Sequence, residues 1–346
     1  HGFPIRLVMP GFEGNLNVKW LRRLKFGDQP WMTRWETARY TQLLANGKAR
    51  QFQLRMESNS VITSPSGMME IRPGYNRITG VAWSGHGKIA KVEISTDGAQ
   101  TWKQAQLNHP VLPKAQTRFQ MDWVWDGKPT KIVSRSTDEK SNVQPDRKSL
   151  IDQMGTNALF HYNAQQTWSI DRNVIAGAIV AGSLVSSALA YDFGRRAAPD
   201  EVKLWDIDVR PDGKGLPEGR GTVAHGKSVY EANCAACHGL NGQGGIKDRL
   251  VGGQGTLASD KPIKTVGSFW PYATTLFDYI HRAMPYQAPG SLSADDTYAV
   301  VAYILNLNGI ISADGKLDKE TLPKIKMPNR DGFIPEPEFN KVTNSK

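Results

Sequence analysis

Cysteine is nearly absent from this sequence. Its 346 residues include only two cysteines, Cys234 and Cys237, so no third thiol is left to act as a nucleophile or as a ligand for a second metal. The basic residues are scattered and form no stripe interleaved with aromatic side chains, which argues against a nucleic acid partner. The phosphate-binding pattern G-x-x-x-x-G-K-[ST] is also missing.

The composition that remains is typical of a soluble globular protein. Hydrophobic residues make up 39% and charged residues 22% of a chain long enough for two domains and their connections. The net charge of +10 permits an acidic partner protein, an anionic substrate or a membrane surface.

The two cysteines belong to the run Cys-Ala-Ala-Cys-His at residues 234–238. Thiols at this spacing can add to the two vinyl groups of one haem, and the histidine that follows then lies under the iron as its proximal ligand. The motif therefore predicts a covalently attached c-type haem on Cys234 and Cys237, with His238 as an axial ligand and electron transfer as its chemistry. For the other face of the iron we predict Met284, because a thioether raises the reduction potential.

Two other interpretations of this motif were weighed. A thioredoxin-like C-x-x-C is expected near a βαβ pattern, and a zinc site needs two further ligands, for which only His225 and His281 offer themselves. Neither context is seen. The resemblance to c-type cytochromes implies an exported, periplasmic haem segment, since bacteria attach such haems outside the cytoplasmic membrane.

The first residues carry a second resemblance. The chain begins at His1 with no initiator methionine or export signal, so we expect it to start inside a larger protein. The runs HGFPIRLVMPG at residues 1–11 and NLNVKWLRR at residues 15–23 resemble the molybdopterin-binding segment of the sulfite oxidase family. Carried over residue by residue, the family's pterin contacts fall on His1, Arg6, Asn17, Val18 and Lys19. His, Arg and Lys side chains suit a cofactor that carries a phosphate.

One departure from that family limits the prediction. The family binds molybdenum through a cysteine thiolate upstream of this segment, and no cysteine remains here to supply it. We therefore expect only a partial molybdopterin site and no catalytic residue in this sequence.

Residues 25–168 predict an all-β domain. Apolar and polar residues alternate at 76–83, 91–96 and 118–125, and the turn signals Asp97-Gly98 (a hairpin) and Asp126-Gly127 follow. Short alternating strands of this kind indicate a β-sandwich. The stretch resembles the immunoglobulin-like dimerisation domain of the sulfite oxidase family, which implies a homodimer.

Within that family, the sequence is most similar to the sulfane dehydrogenases of the sulfur-oxidising (Sox) system. The strings that carry this resemblance lie at residues 15–25, 30–33 and 155–158 for the molybdenum subunit and at 284–290 for the cytochrome subunit. It implies oxidation of sulfane sulfur on a carrier protein of the Sox system, with electrons passing through the haem to a downstream cytochrome c.

Residues 173–191 lack charge and follow Arg172. Their Ala, Gly and Ser content and the run Ser-Ala-Leu-Ala at 187–190 favour a signal-derived segment joining two fused subunits, cleaved after Ala190. A retained membrane anchor and a buried helix are the alternatives.

The remaining residues predict an all-α class I cytochrome c. Helices are expected at 224–230, within 271–283 and at 294–307. The last is capped by Ser293 and carries Tyr298, Val301, Ala302 and Leu305 on one face. Gly226 should let the first and last helices approach closely, with Tyr230 and Tyr303 beside the crossing. The glycine-rich residues 239–269 should wrap the haem edge. We expect the charged tail at 316–346 to lie along the surface or along a partner.

These inferences combine into a mixed multidomain prediction. The expected limits are a molybdopterin-binding remnant (1–26), an immunoglobulin-like dimerisation sandwich (27–170), an apolar junction (171–192), a linker (193–222), a cytochrome c domain (223–310) and a tail (311–346). The predicted function is the electron-transfer part of a periplasmic molybdenum and haem sulfur dehydrogenase. A sulfite dehydrogenase and a non-catalytic haem carrier with a dimerisation domain are the alternatives.

Overall fold

The computed structural model describes residues 5–51, 55–67, 69–158, 163–170, 175–176 and 198–335. The chain divides into two compact units, each described by itself below. The first comprises His1–Leu24, Leu54–Gln153 and Asn157–Phe193, and the second comprises Lys25–Gln53, Met154–Thr156 and Gly194–Lys346.

The first unit consists mainly of strands, and the second contains most of the helices. The strands are β1 (Thr41–Leu43), β2 (Ala49–Gln51), β3 (Asn59–Ser64), β4 (Gly74–Trp83), β5 (Ile89–Ser95), β6 (Lys103–Gln104), β7 (Gln106–Leu107), β8 (Thr117–Trp125), β9 (Thr130–Asp138), β10 (Thr167–Ile170), β11 (Ile175–Ala176), β12 (Arg220–Thr222), β13 (Lys316–Asp318) and β14 (Phe333–Pro335). The α-helices are α1 (Arg34–Ala38), α2 (Arg147–Met154), α3 (Pro199–Trp205), α4 (Val223–Asn233), α5 (Ala235–His238), α6 (Ala273–Ala283) and α7 (Ala294–Leu307).

Two antiparallel sheets form the first unit, one in the order β3-β4-β8-β7 and the other in the order β11-β10-β9-β5-β6. Along β4, Ile78, Gly80 and Ala82 are buried, whereas Thr79 and Val81 between them are only partly buried. Ile94 and Ile132 of the other sheet belong to the same buried cluster. This alternation of buried and exposed side chains is what a half-buried sheet requires, and the predicted β-sandwich is confirmed.

The two turn signals have different structural roles. Asp97 closes the connection between the paired strands β5 and β6, and its carboxylate accepts hydrogen bonds from the backbone amides of Gln100 and Thr101. Hydrogen bonds from the hydroxyls of Ser95 and Thr101 hold the pKa of this carboxyl well below its usual range. The Asp126-Gly127 turn instead joins β8 to β9, which lie in different sheets.

A buried polar network joins β3, an edge strand of one sheet, and β9, the middle strand of the other, to the segment after β9. Gln144 is fully buried; its Oε1 accepts from the Ser60 hydroxyl at 2.6 Å and its Nε2 donates to Asn59 Oδ1 at 3.0 Å. The Ser60 hydroxyl also lies 2.9 Å from the Ser134 hydroxyl of β9. Such a network stabilises a core only while all its members are satisfied.

Substitution of Gln144 by alanine is expected to lower the free energy of unfolding by about 2 kcal/mol, because it leaves several buried polar groups without partners. Thermal unfolding followed by circular dichroism measures the loss. Gln104→Ala, at an exposed position of β6, is the matched control and should change stability little. Equal stability of the two variants would show that the network contributes nothing.

The second unit is centred on the crossing of α4 and α7. A Cβ built on Gly226 of α4 would lie 1.8 Å from the backbone oxygen of Ala299 in α7, so only glycine permits this approach. The rings of Tyr230 and Tyr303 pack beside it with centroids 5.3 Å apart. The predicted close contact between the first and last helices is confirmed.

Helix α7 has the bounds that the sequence predicts, Ala294–Leu307, and its first turn is capped by the Ser293 hydroxyl, which accepts from Asp296 N at 3.0 Å. The face predicted from Tyr298, Val301, Ala302 and Leu305 is buried. The other residues of 297–305 are buried as well, because other parts of the unit cover the remaining faces.

Three segments expected elsewhere are part of this unit's core. Leu43 and Ala49 come from the stretch expected to be all-β sandwich, Val209 from the expected linker, and Leu322 and Met327 from the expected surface tail; all five are at most 2% exposed within one buried cluster. Strands β12 and β13 also pair with each other, and β14 pairs in parallel with β2. The cytochrome part is mainly helical, and short strands from these segments pair within the same unit. The tail is packed against this unit through Leu322 and Met327, which are buried in its core.

Among the residues that the structure describes, none of the helices has the length and apolar character needed to cross a bilayer. The interpretations of residues 171–192 as a signal-derived segment, an anchor or a buried helix fall almost wholly on residues outside the described ranges. Cleavage after Ala190 stays a prediction.

Candidate functional site

The Cys-Ala-Ala-Cys-His run forms a tight turn of helix directly after α4. Cys234 caps α5, and its carbonyl accepts from the amide of Cys237 at 3.1 Å and from that of His238 at 3.0 Å. Both cysteines are free and partly buried, and burial, with the nearby Cys237, raises the pKa of the Cys234 thiol to about 11. One helical turn thus presents two thiols and an imidazole from the same short element.

The His238 ring is fixed by a backbone group. Its Nδ1 lies 2.7 Å from the carbonyl oxygen of Asp248, a contact that requires Nδ1–H as the donor. The proton-free nitrogen is then Nε2, which is the form in which a histidine binds a metal while its other nitrogen is held by a carbonyl. The sequence motif did not indicate Asp248, because the interaction uses only its backbone.

The loop that follows is held close to the motif. Gly239 ends α5 with a φ of +82°, a conformation that favours glycine, and its carbonyl accepts from the Tyr230 hydroxyl at 2.8 Å. Burial raises the pKa of Tyr230 to about 12, so the phenol remains a donor at neutral pH. The amide of Lys247 returns to donate to the carbonyl of Cys237 at 3.0 Å.

Met284 lies at the end of α6, where its amide donates to the carbonyl of Ile280 at 3.0 Å. Its side chain is partly buried and packs against the same apolar cluster as Cys234. The last turn of α6 is anchored by Asp278, which is 1% exposed, pairs with Arg282 and accepts from Val209 N at 3.0 Å. Met284 therefore extends from a helix end that has little freedom to shift.

The residues weighed as zinc partners have other surroundings. His225 Nε2 lies 3.1 Å from Asp296 Oδ1. His281 packs on Phe277 with ring centroids 5.5 Å apart, and its buried Nδ1 has no hydrogen-bond partner among the described residues. Within those ranges no group of three or more His, Cys, Asp or Glu side chains could hold a metal ion.

This donor set fits a c-type haem. Two thiols three positions apart, an imidazole whose Nδ1 is already bonded to a carbonyl, and a thioether against the same cluster are the groups that such a haem uses. The haem would supply a one-electron carrier, and the chain's own part would be to anchor it, orient His238 and surround it with apolar side chains.

The described part of the molybdopterin segment is a short antiparallel ladder. Arg6 and Lys19 lie opposite each other, and the amide of Leu7 donates to the carbonyl of Val18 at 2.9 Å. Arg6 is exposed, and the Lys19 ammonium lies 5.3 Å from the centre of the Trp20 ring. The backbone pairing thus places two cationic residues opposite each other, which suits a phosphate. His1 lies outside the described residues.

Asn17 has a structural role that the sequence did not reveal. Its Oδ1 accepts from the amide of Met9 at 2.9 Å, and its Nδ2 donates to the carbonyls of Phe12 and Glu13. These bonds shape the loop between the two sides of the ladder. Arg6 and Lys19 therefore fit the anionic part of the cofactor best, and the chain holds no third cysteine to bind molybdenum.

Comparison with known proteins gives three family matches. Residues 1–35 match the oxidoreductase molybdopterin binding domain, residues 50–167 the Mo-co oxidoreductase dimerisation domain, and residues 223–308 cytochrome c. The chain thus combines two segments similar to domains of molybdenum-cofactor oxidoreductases with a segment similar to cytochrome c. Haem c and the molybdenum cofactor are the cofactors these domains indicate, as the motifs predicted, and the predicted fold class is confirmed.

Several known proteins that contain molybdenum-cofactor domains are similar to part of this chain. Sulfite oxidase from Gallus gallus is 30% identical over 164 residues, which cover 42% of this chain and 35% of that protein. Nitrate reductase [NADH] from Solanum lycopersicum is 33% identical over 178 residues, covering 42% of this chain and 19% of that protein. The chain thus spans about a third of the sulfite oxidases it matches, and the predicted resemblance to their family is confirmed.

One solved structure that matches is the sulfane dehydrogenase SoxCD from Paracoccus pantotrophus. It is 43% identical and covers 52% of this chain and 47% of the matched chain, with a TM-score of 0.49.

Proposed function

We propose that this chain is the electron-transfer part of a periplasmic molybdenum and haem dehydrogenase that oxidises sulfane sulfur bound to a carrier protein. Cys234 and Cys237 anchor the haem, and His238 and Met284 hold its iron. Arg6 and Lys19, with His1, Asn17 and Val18, form part of the molybdopterin contact. Electrons leave through the haem to a downstream cytochrome c.

The observation that carries the electron-transfer role is the bond between His238 Nδ1 and the Asp248 carbonyl. It fixes the ring in the tautomer that an axial ligand needs and places it one residue after a thiol that can bind the haem covalently. A proximal histidine with a held Nδ1, and a thioether on the other face, favour a closed haem that carries electrons and does not bind substrate.

The sulfur substrate is supported by the sequence on both sides of the junction. The strings at 15–25, 30–33 and 155–158 and the string at 284–290 resemble the two subunits of the same sulfane dehydrogenase. Sulfite is the second candidate substrate, supported by the identity to the sulfite oxidases. Association through the dimerisation sandwich would place two copies in one particle.

The test is haem reduction, followed by visible absorbance, in the protein carrying its complete molybdopterin-binding domain. One arm supplies free sulfite, and the other supplies a carrier protein loaded with persulfide on its cysteine; the same carrier in its thiol form is the control. We expect reduction by the persulfide carrier alone.

Rapid reduction by sulfite, with none by the carrier, would replace the proposal by a sulfite dehydrogenase. If neither donor reduces a haem that dithionite does reduce, the chain belongs to a haem carrier without this catalysis. Both results would leave the assignment of the haem ligands in place, because that assignment rests on the cysteine motif and on the surroundings of His238 and Met284.

A further inference from the structure

Residues 25–51, called the strap here, have a position in the structure that the electron-transfer role does not explain. In the sequence they run from the last part of the molybdopterin match, which ends at residue 35, to the start of the dimerisation match at residue 50. In the structure they pack with the cytochrome residues in the second unit. The strap precedes the junction and so belongs to residues 1–190, called the molybdenum half here. It is nevertheless packed in the unit that contains the haem motif.

The centre of the strap is buried against α6, the helix that leads to Met284. Met32 is 3% exposed, and its carbonyl accepts from the Thr275 hydroxyl at 2.7 Å, with Thr275 itself 2% exposed. Two residues further on, the Arg34 guanidinium lies 4.5 Å from the centre of the Tyr279 ring, a favourable cation–π distance.

Charged groups join the start of the strap to the segment before α4. The Asp28 carboxylate lies 2.6 Å from the Arg210 guanidinium, whose side chain is only 7% exposed. The hydrogen bond from Arg210 holds the pKa of the Asp28 carboxyl below its usual range. Lys25 adds ion pairs to Asp206 at 2.5 Å and to Asp208 at 3.4 Å.

The end of the strap joins the last described residues of the chain. Its strand β2 pairs in parallel with β14, and the amide of Ala49 donates to the Gly332 carbonyl at 2.7 Å. Leu43 and Ala49 are at most 2% exposed and belong to the same cluster as Tyr230 and Phe277. The strap thus contributes to the core as well as to the surface of the haem-bearing unit.

We infer that the strap is the docking element through which the molybdenum half of the chain binds the haem half, residues 191–346. Its contacts involve three separate parts of that half: residues 206–210, helix α6 and residues 332–335. Hydrogen bonds, ion pairs and buried apolar side chains act together there, so the two halves stay associated without a peptide bond between them. This inference goes beyond the proposed function and does not depend on which sulfur compound is oxidised.

The test uses the full chain with its haem attached and a specific protease site inserted between Ala190 and Tyr191. After complete cleavage, a dilution series is followed by analytical ultracentrifugation at the haem absorbance. We expect the haem to sediment with the N-terminal fragment at micromolar concentration. Haem that sediments as a free C-terminal half at that concentration would overturn the inference.

A pair of substitutions tests the contacts themselves. Asp28→Arg together with Thr275→Val removes the hydrogen bond to Met32 and sets two cations against each other at Arg210, so the dissociation constant of the cleaved protein should rise at least tenfold. Glu70→Arg, an equal charge change at an exposed residue of the first unit, is the control and should leave it unchanged. The uncut double variant should keep its haem spectrum; a rise below tenfold, or an equal rise in the control, would contradict the docking role.

Discussion

Replacing Gly226 by alanine is expected to destabilise the haem-bearing unit by about 3 kcal/mol, the upper range for inserting a methyl group into a packed core. The added Cβ would lie 1.8 Å from the backbone oxygen of Ala299 and 2.9 Å from the Tyr303 Cβ. Backbone atoms cannot rotate away as the end of a side chain can, so α4 and α7 must move apart. At about 2–4 °C per kcal/mol for a unit of this size, the melting temperature should fall by roughly 6–12 °C.

Calorimetry of the haem-loaded protein measures this shift. Ala224→Ser, at an exposed position of the same helix, is the control and should change the melting temperature by less than a third as much. Alanine is a better helix former than glycine by about 1 kcal/mol, so helix propensity alone would raise the melting temperature of Gly226→Ala. An unchanged or higher melting temperature for Gly226→Ala would therefore mean that the crossing is not closely packed in solution.

The features of the fold that the sequence predicted well were those carried by local signals. Helix α7 begins after a serine that caps it, and its predicted bounds agree with the structure. Helix α4 is longer than predicted, reaching Asn233, because its last turn leads without a break into the cysteine motif. The sandwich followed from the alternation along β4 and β8, whose side chains need only one buried face.

The strap and the tail could not be predicted in the same way. Strands β2 and β14 have three residues each, too few for a periodic pattern, and each gains its partner from a distant part of the chain. Leu322 and Met327 lie among charged and proline residues that resemble a solvated tail, and only the folded unit shows that they are buried. Long-range pairing of short segments leaves little trace in local sequence.

The candidate site likewise contains some groups that the local sequence specifies and others that it does not. The thiols and the histidine are specified by their spacing, whereas the carbonyl that orients His238 could belong to any residue type and leaves no sequence signal. At Asn17 the family resemblance gave a position, but it did not indicate the hydrogen bonds that this side chain makes to the loop around it. Resemblance to a family identifies a position but does not say whether its side chain or its backbone is used.

Substitution of Met284 is expected to change the reduction potential and the spin state of the haem iron. In Met284→His the iron should remain six-coordinate, but its reduction potential should fall by about a hundred millivolts or more, since a thioether raises the potential relative to imidazole. In Met284→Leu the sixth position should open, so the haem becomes high-spin and binds carbon monoxide. Spectroelectrochemistry and visible spectra of the purified, haem-loaded variants measure both effects.

The control is Met327→Leu, which changes a methionine that is 1% exposed in the same apolar cluster. It preserves the volume of the core, and its potential and spectrum should match those of the unmodified protein. An unchanged potential in Met284→His, or a low-spin spectrum in Met284→Leu, would show that another group binds the iron. His281, three residues earlier, has a buried Nδ1 with no hydrogen-bond partner in the described part of the chain. It would then be the first to replace, and loss of the low-spin spectrum in Met284→Leu with His281→Ala would identify it.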